Sequence, residues 1–188
     1  MQPSVTLTAT GSQAESDEAA LVRAAVHDST AFAALYQRYV ARVYRFVRLR
    51  CASSDEAADL TQQVFLKVAA ALPRYHERGL PFAAWLFRIA RNATIDHTRR
   101  RRPAVPLESL AGVFAADDVE EYVLDRERRA TLAALIAGLS RDEREVLSLR
   151  FAAGLSSREI AAVVGASESA VKKRLTRLIH RMKERARG

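Results

Sequence analysis

Cysteine is almost absent from this chain: Cys51 stands alone among 188 residues. A single thiol excludes an internal disulfide and a zinc site built from cysteines. The expected role of Cys51 is that of a small, half-buried residue at a helix end. Glycine and proline are also scarce, at seven and five residues, while alanine, leucine and arginine abound. That balance excludes a turn-rich β architecture and predicts an all-α protein. No apolar run approaches the ~18 residues needed to span a membrane. Residues 1–14, MQPSVTLTATGSQA, lack the basic start and apolar stretch of a signal peptide. Membrane insertion is therefore not expected, and a cytoplasmic location is. Catalytic signatures are missing too: no Walker loop, no HExxH and no GxSxG. His27, His76, His97 and His180 are scattered. Neither enzymatic activity, nor a cofactor, nor a metal site is expected.

Acid is in short supply relative to base. Thirty Lys and Arg face 22 Asp and Glu, for a formal charge of +8 and a pI near 10.2. Such a balance suits a nucleic-acid partner. Hydrophobic residues make up 49% of the chain, enough to build a core.

The most informative stretch is 154–185, GLSSREIAAVVGASESAVKKRLTRLIHRMKER. Ile160, Ala161 and Val164 lie on a first helix, Gly165 at a turn, and Val171, Leu175, Leu178 and Met182 on a second. A tight turn between helices needs positive φ, which glycine adopts without steric cost. The second helix leaves Lys172, Lys173, Arg174, Arg177 and Arg181 on its free face. This pattern predicts a helix-turn-helix with a major-groove recognition helix.

Upstream, residues 1–15 are expected to be a disordered tail. A short helix is predicted from Ser16 to about Val26, then one over Thr30–Arg50 capped by Asp28 or Ser29. A third, capped by Ser54, stops near Pro73. A fourth runs from Phe82 to about Arg99 and ends before Pro103. Residues 103–124 carry two prolines and several acids, and read as a flexible acidic linker. Ser140 and Ser156 precede Glu143 and Glu159 by three residues, the spacing of a capping box; Ser167 is placed to cap the last helix. The expected architecture is two small helical domains, 16–102 and 125–188.

The third helix carries Asp55, Glu56, Asp59, Gln62, Gln63 and Lys67 on one side. That face is either simply solvated or a docking surface for a protein. The loop 74–81 and the fourth helix mix Tyr75, His76, Arg78, Phe82 and Trp85 with Arg88, Arg91 and Asn92. Aromatics interleaved with arginines suit unstacked bases and their phosphates. Trp85 reads equally as a core residue.

The segments EAADLTQQVFLKV (56–68) and FAAWLFRIARNATIDHTRRR (82–101) resemble region 2 of an extracytoplasmic-function (ECF) sigma factor of the sigma-70 family. The segment 132–184 resembles region 4. Taken alone, that second segment is also similar to LuxR-type DNA-binding domains. The resemblance implies a subunit that binds core RNA polymerase and directs initiation at promoters with a −35 and a −10 element. It implies that Asp55, Glu56, Asp59, Gln62 and Gln63 dock on the polymerase clamp helices, although Ala58 and Gln63 stand where the family commonly has an acid. Leu60 and Phe65, in the same signature, are expected in the core. Tyr75, His76 and Phe82 become candidates for a pocket that captures a flipped base of the −10 strand, with Trp85, Arg88, Arg91 and Asn92 beside it. Ser169, Lys172, Lys173, Thr176 and Arg177 match the face that reads the −35 duplex, and Arg150 a supporting contact. The resemblance also implies contact of region 4 with the polymerase flap and makes an anti-sigma partner plausible. The alternatives are a LuxR-type regulator of duplex DNA and a basic helical RNA-binding protein.

Overall fold

The computed structural model describes residues 9–76, 80–100, 132 and 134–187. Within them every regular element is helical. Four helices form an N-terminal group: α1 (Ala9–Ala24), α2 (Ser29–Arg48), α3 (Ser54–Ala71) and α4 (Phe82–Arg100), with a 3₁₀ turn over Leu72–Arg74. The C-terminal group includes α5 (Arg141–Phe151), α6 (Ser157–Val164) and α7 (Glu168–Arg187), and residues 134–137 before them are helical too.

The caps explain most boundaries. Asp28 accepts from the Thr30 amide at 2.8 Å and starts α2. Ser140 and Ser156 each close a full capping box, with Glu143 and Glu159 returning to the serine amides. Ser167 accepts from the Ala170 amide at the head of α7. Two expectations shift. The cap of α3 is Ser53, whose hydroxyl accepts from the Glu56 amide, and Ser54 is already helical. Helix α1 begins at Ala9, inside the stretch expected to be disordered. Propagating a helix from a turn already packed on α2 through Val22 and Ala25 costs little per residue. The linker 103–124 and Arg78 lie outside the described residues.

Helix α2 buries Ala31, Leu35, Tyr39, Val43, Phe46 and Val47 along one stripe. Ala57, Leu60, Val64, Phe65 and Val68 of α3 face it, as do Ala83, Leu86, Phe87 and Ala90 of α4. Edge-on aromatic pairs tighten the contact: Tyr36 with Phe65 at 4.7 Å and Phe46 with Phe87 at 5.6 Å.

The C-terminal group packs against this bundle. Val146, Leu149, Leu155, Ile160 and Val163 belong to the same continuous core as α2 and α4. Val163, rather than the expected Val164, is the fully buried valine of α6. Four arginines of the bundle fasten the contact. Arg42 donates to the Ala153 carbonyl at 2.7 Å and Arg45 to that of Ala152 at 3.3 Å. Both meet the carbonyl end of α5, where the helix dipole favours a cation. Arg50 donates to the Ser148 hydroxyl at 2.9 Å, and Arg91 grips the Glu145 carboxylate at 2.6 and 3.3 Å. Burial pushes the Arg50 guanidinium down to about 10, an effect that the Glu145 carboxylate opposes and Arg91 reinforces. A second small cluster, Ile136, Leu139, Leu147 and Leu178, holds α7 to α5.

Candidate nucleic-acid interface

Gly165 ends α6 at φ 71°, the left-handed conformation expected for the turn of a helix-turn-helix. It sends α7 away with Val171, Leu175 and Leu178 turned inward. Ser169, Lys172, Lys173, Thr176 and Arg177 are all exposed on the remaining face. Lys172 pairs with Glu168 at 2.6 Å, one turn earlier, and Ser169 shares a hydrogen bond with Ser167. Arg150 donates to the Leu155 carbonyl at 3.0 Å, bracing the loop that leads into α6. Arg181 binds Glu143 and, with the Ser140 cap, holds that carboxyl down at about 2. It is therefore tied to the fold as well as lying on the basic helix.

The N-terminal group carries a different surface. Tyr75 bonds the Leu80 carbonyl through its hydroxyl at 3.0 Å, closing the loop on itself. Its ring lies 4.9 Å from Trp85 and 5.7 Å from Phe82. Phe82 in turn contacts Tyr39 at 5.5 Å and is only 5% exposed. The sequence placed Tyr75, His76 and Phe82 together in one pocket. The structure brings all three to one cleft at different depths: His76 exposed, Tyr75 half-buried, and Phe82 beneath it as the floor. Trp85 is half-buried, which fits both of its expected roles. Beside the loop lies a cleft of about 480 Å³, lined among others by Val22, Val26, Tyr75, His76, Phe82 and Arg158. Arg158 comes from α6 and was not foreseen, because nothing local to its sequence links it to a loop 80 residues earlier. Burial raises the Tyr39 phenol well above its ordinary range, and its hydrogen bond to Glu18 adds to the rise, so it remains a donor.

Along α4, Arg88 and Asn92 are exposed. Arg91 is not free for a phosphate in this arrangement, since Glu145 holds it. On α3, Asp55, Asp59, Gln62 and Gln63 are exposed on one face. Leu66, 70% exposed, stands among them at one turn from Gln62 and two from Asp59. The sequence assigned it no role, because a single leucine within a helix carries no signal of its own exposure. Glu56 departs from this face. Its carboxylate accepts from the Ala52 amide at 2.7 Å and meets His97 at 2.7 Å.

Known proteins place this geometry. The family model described as Sigma-70 region 2 matches residues 35–104, and Sigma-70, region 4 matches 129–182. The chain belongs to the sigma-70 family. It is 32% identical over 191 residues to the ECF RNA polymerase sigma factor SigD of Mycobacterium tuberculosis, covering 98% of this chain and 88% of that one. It is 34% identical over 168 residues to the ECF sigma factor BldN of Streptomyces coelicolor, covering 85% of this chain and 63% of BldN's length. Among solved structures it is similar to CnrH in complex with the cytosolic domain of CnrY, at 27% identity and a TM-score of 0.66, covering 89% and 95%. It is also similar to RpoE in complex with the anti-sigma factor NepR from Bartonella quintana, at 27% identity and 0.60, covering 83% and 96%. As an ECF sigma factor, the chain acts with core RNA polymerase and promoter DNA in transcription initiation. No helix among the described residues is long and apolar enough to cross a membrane.

Proposed function

We propose that this sigma factor divides promoter reading between its two helical groups. Residues 125–188 read the −35 element as duplex, through Ser169, Lys172, Lys173, Thr176 and Arg177 in the major groove, with Arg150 alongside. Residues 16–102 dock on the polymerase clamp through Asp55, Asp59, Gln62, Gln63 and the exposed Leu66. The same group takes a base of the melted −10 strand at the loop, where Tyr75 and His76 supply the contact surface and Phe82 the floor. Trp85, Arg88 and Asn92 extend this surface along α4. The observation that carries the reading is the aromatic cluster Phe82–Tyr75–Trp85 at the edge of a cleft. Stacking there offsets the few kcal/mol that unstacking a base costs.

Neither step is chemistry on DNA, so the chain works as a binding subunit rather than a catalyst, in the cytoplasm where polymerase acts. The packed arrangement puts Glu145 on Arg91. Parting of the two groups, with 103–124 as the tether, frees Arg91 for the −10 strand, and region 4 then meets the polymerase flap. Because CnrH and RpoE were captured with CnrY and NepR, an anti-sigma partner for this chain is part of the proposal.

The two N-terminal roles separate in one experiment. Asp59→Arg should abolish pull-down by core polymerase. Tyr75→Ala with His76→Ala should leave pull-down intact and remove permanganate reactivity of the melted −10 region. Full reactivity in the second variant would show that the base is held elsewhere.

A further inference from the structure

The fold brings together three side chains that the sequence keeps far apart. Cys51 sits at the corner between α2 and α3, Glu56 in the first turn of α3, and His97 near the end of α4. One donor atom from each lies within 4.8 Å of the other two. Cys51 is in no disulfide and is 1% exposed. The Glu56 and His97 side chains are 11% and 22% exposed. This enclosure distinguishes the trio from acids and histidines that meet by chance on a surface.

We propose that Cys51, Glu56 and His97 form a zinc(II) site. A thiolate, an imidazole and a carboxylate are all ligands that zinc accepts, and three protein ligands plus water complete a tetrahedron. With bonds of ~2.0 Å to nitrogen and oxygen and ~2.3 Å to sulfur, tetrahedral zinc spaces its ligand atoms about 3.3–3.5 Å apart. The trio needs only small side-chain shifts to reach that spacing: the three donor atoms lie within 4.8 Å of one another, and the Glu56–His97 pair, now at 2.7 Å, opens by about 0.6–0.8 Å to admit the ion.

Charge favours the same ion. A thiolate and a carboxylate cancel the two positive charges of zinc, and the imidazole binds as a neutral ligand. The enclosed centre is then neutral, so no uncompensated charge is buried. Arg48 and Arg50 flank the corner and would repel a bare cation, but they meet a neutralised one. The ligands are also held in place. Glu56 is oriented by the Ala52 amide on one oxygen, which directs the other at His97, and Arg48 donates to the Cys51 carbonyl at 2.9 Å. Such outer contacts set ligand geometry in metal sites. A bound ion ties the α2–α3 corner to the end of α4, one residue away from Asp55 on the face assigned to polymerase docking.

The test uses the reduced, untagged full-length chain stripped of metal. Zinc is titrated against a chromophoric chelator, and cobalt(II) serves as a separate optical probe of thiolate ligation. The wild type should bind one zinc per chain and show a cobalt–thiolate charge-transfer band. Cys51→Ser should lose that band, and His97→Gln should weaken zinc by about tenfold or more. Zinc at a fixed concentration should raise the unfolding midpoint of the wild type by more than that of either variant. Absence of saturable binding at one equivalent overturns the proposal, as does wild-type affinity in both variants. Circular dichroism checks that the variants fold. If Cys51→Ser does not, His97→Gln at its half-buried position decides alone, and unchanged zinc affinity there overturns the site.

Discussion

The two helical groups solve recognition in different ways. In the C-terminal group, the residues proposed to read DNA lie on one exposed helix face: the side chains of α7 that face inward hold the fold, and those assigned to the duplex face outward. In the N-terminal group the two roles interpenetrate. Phe82 belongs to the core and also floors the loop, and Tyr75 packs on it while remaining half-exposed. A duplex presents a regular groove, so a regular helix suffices to read it. A single unstacked base needs a shaped pocket, and only tertiary packing makes one.

The largest effect that sharpens this contrast is on Phe82. Phe82→Ala should destabilise the N-terminal group by about 3–5 kcal/mol, as expected for a buried phenylalanine. Thermal unfolding should show the loss before any DNA is added. Tyr75→Ala with His76→Ala should leave most of the fold stability in place yet lower open-complex formation by about tenfold or more, since base stacking is worth ~1–3 kcal/mol. Equal instability in both variants would erase the distinction between floor and surface. In the C-terminal group, Lys172→Ala with Arg177→Ala should reduce transcription from a promoter that depends on its −35 element, by about tenfold, and lessen its salt dependence. Scrambling the −35 element should then cost the variant little more. Gly165→Ala should destabilise by about 1 kcal/mol, because open space surrounds the site and only the left-handed φ resists the methyl group.

The smallest effect concerns pH. Arg181 and the Ser140 cap hold the Glu143 carboxyl at about 2, below its ordinary 4.5. A depressed acid contributes stability that is complete above pH 4.5 and is lost as pH falls through 2. Glu143→Gln should flatten that part of the acid-stability profile. An identical profile in the variant would place acid sensitivity elsewhere.

The same contrast explains what the sequence made legible. The spacing of Val171, Leu175 and Leu178, the glycine turn and both capping boxes are local signals, and each appears in the structure at the expected residue. Misreadings of local pattern were small: Ser53 in place of Ser54, Val163 in place of Val164, and an earlier start to α1. Larger differences arose wherever distant segments meet. Glu56 looked like part of an acidic face, but His97, 41 residues away, draws it inward. Arg91 looked available for phosphate until α5 brought Glu145 to it. Leu66 received no assignment, because helical periodicity alone leaves the width of an apolar stripe undetermined.

The central claim is that this chain confers promoter specificity on RNA polymerase through two separated readings. Run-off transcription with purified core polymerase, on fragmented genomic DNA from the host, tests it most directly. The account predicts discrete transcripts that appear only with this chain and whose upstream regions share two spaced motifs. It further predicts that the Lys172/Arg177 variant loses dependence on the upstream motif, while the Tyr75/His76 variant fails at the downstream one. Polymerase shown active with another sigma factor, yet giving no new transcript with this chain, would contradict the account.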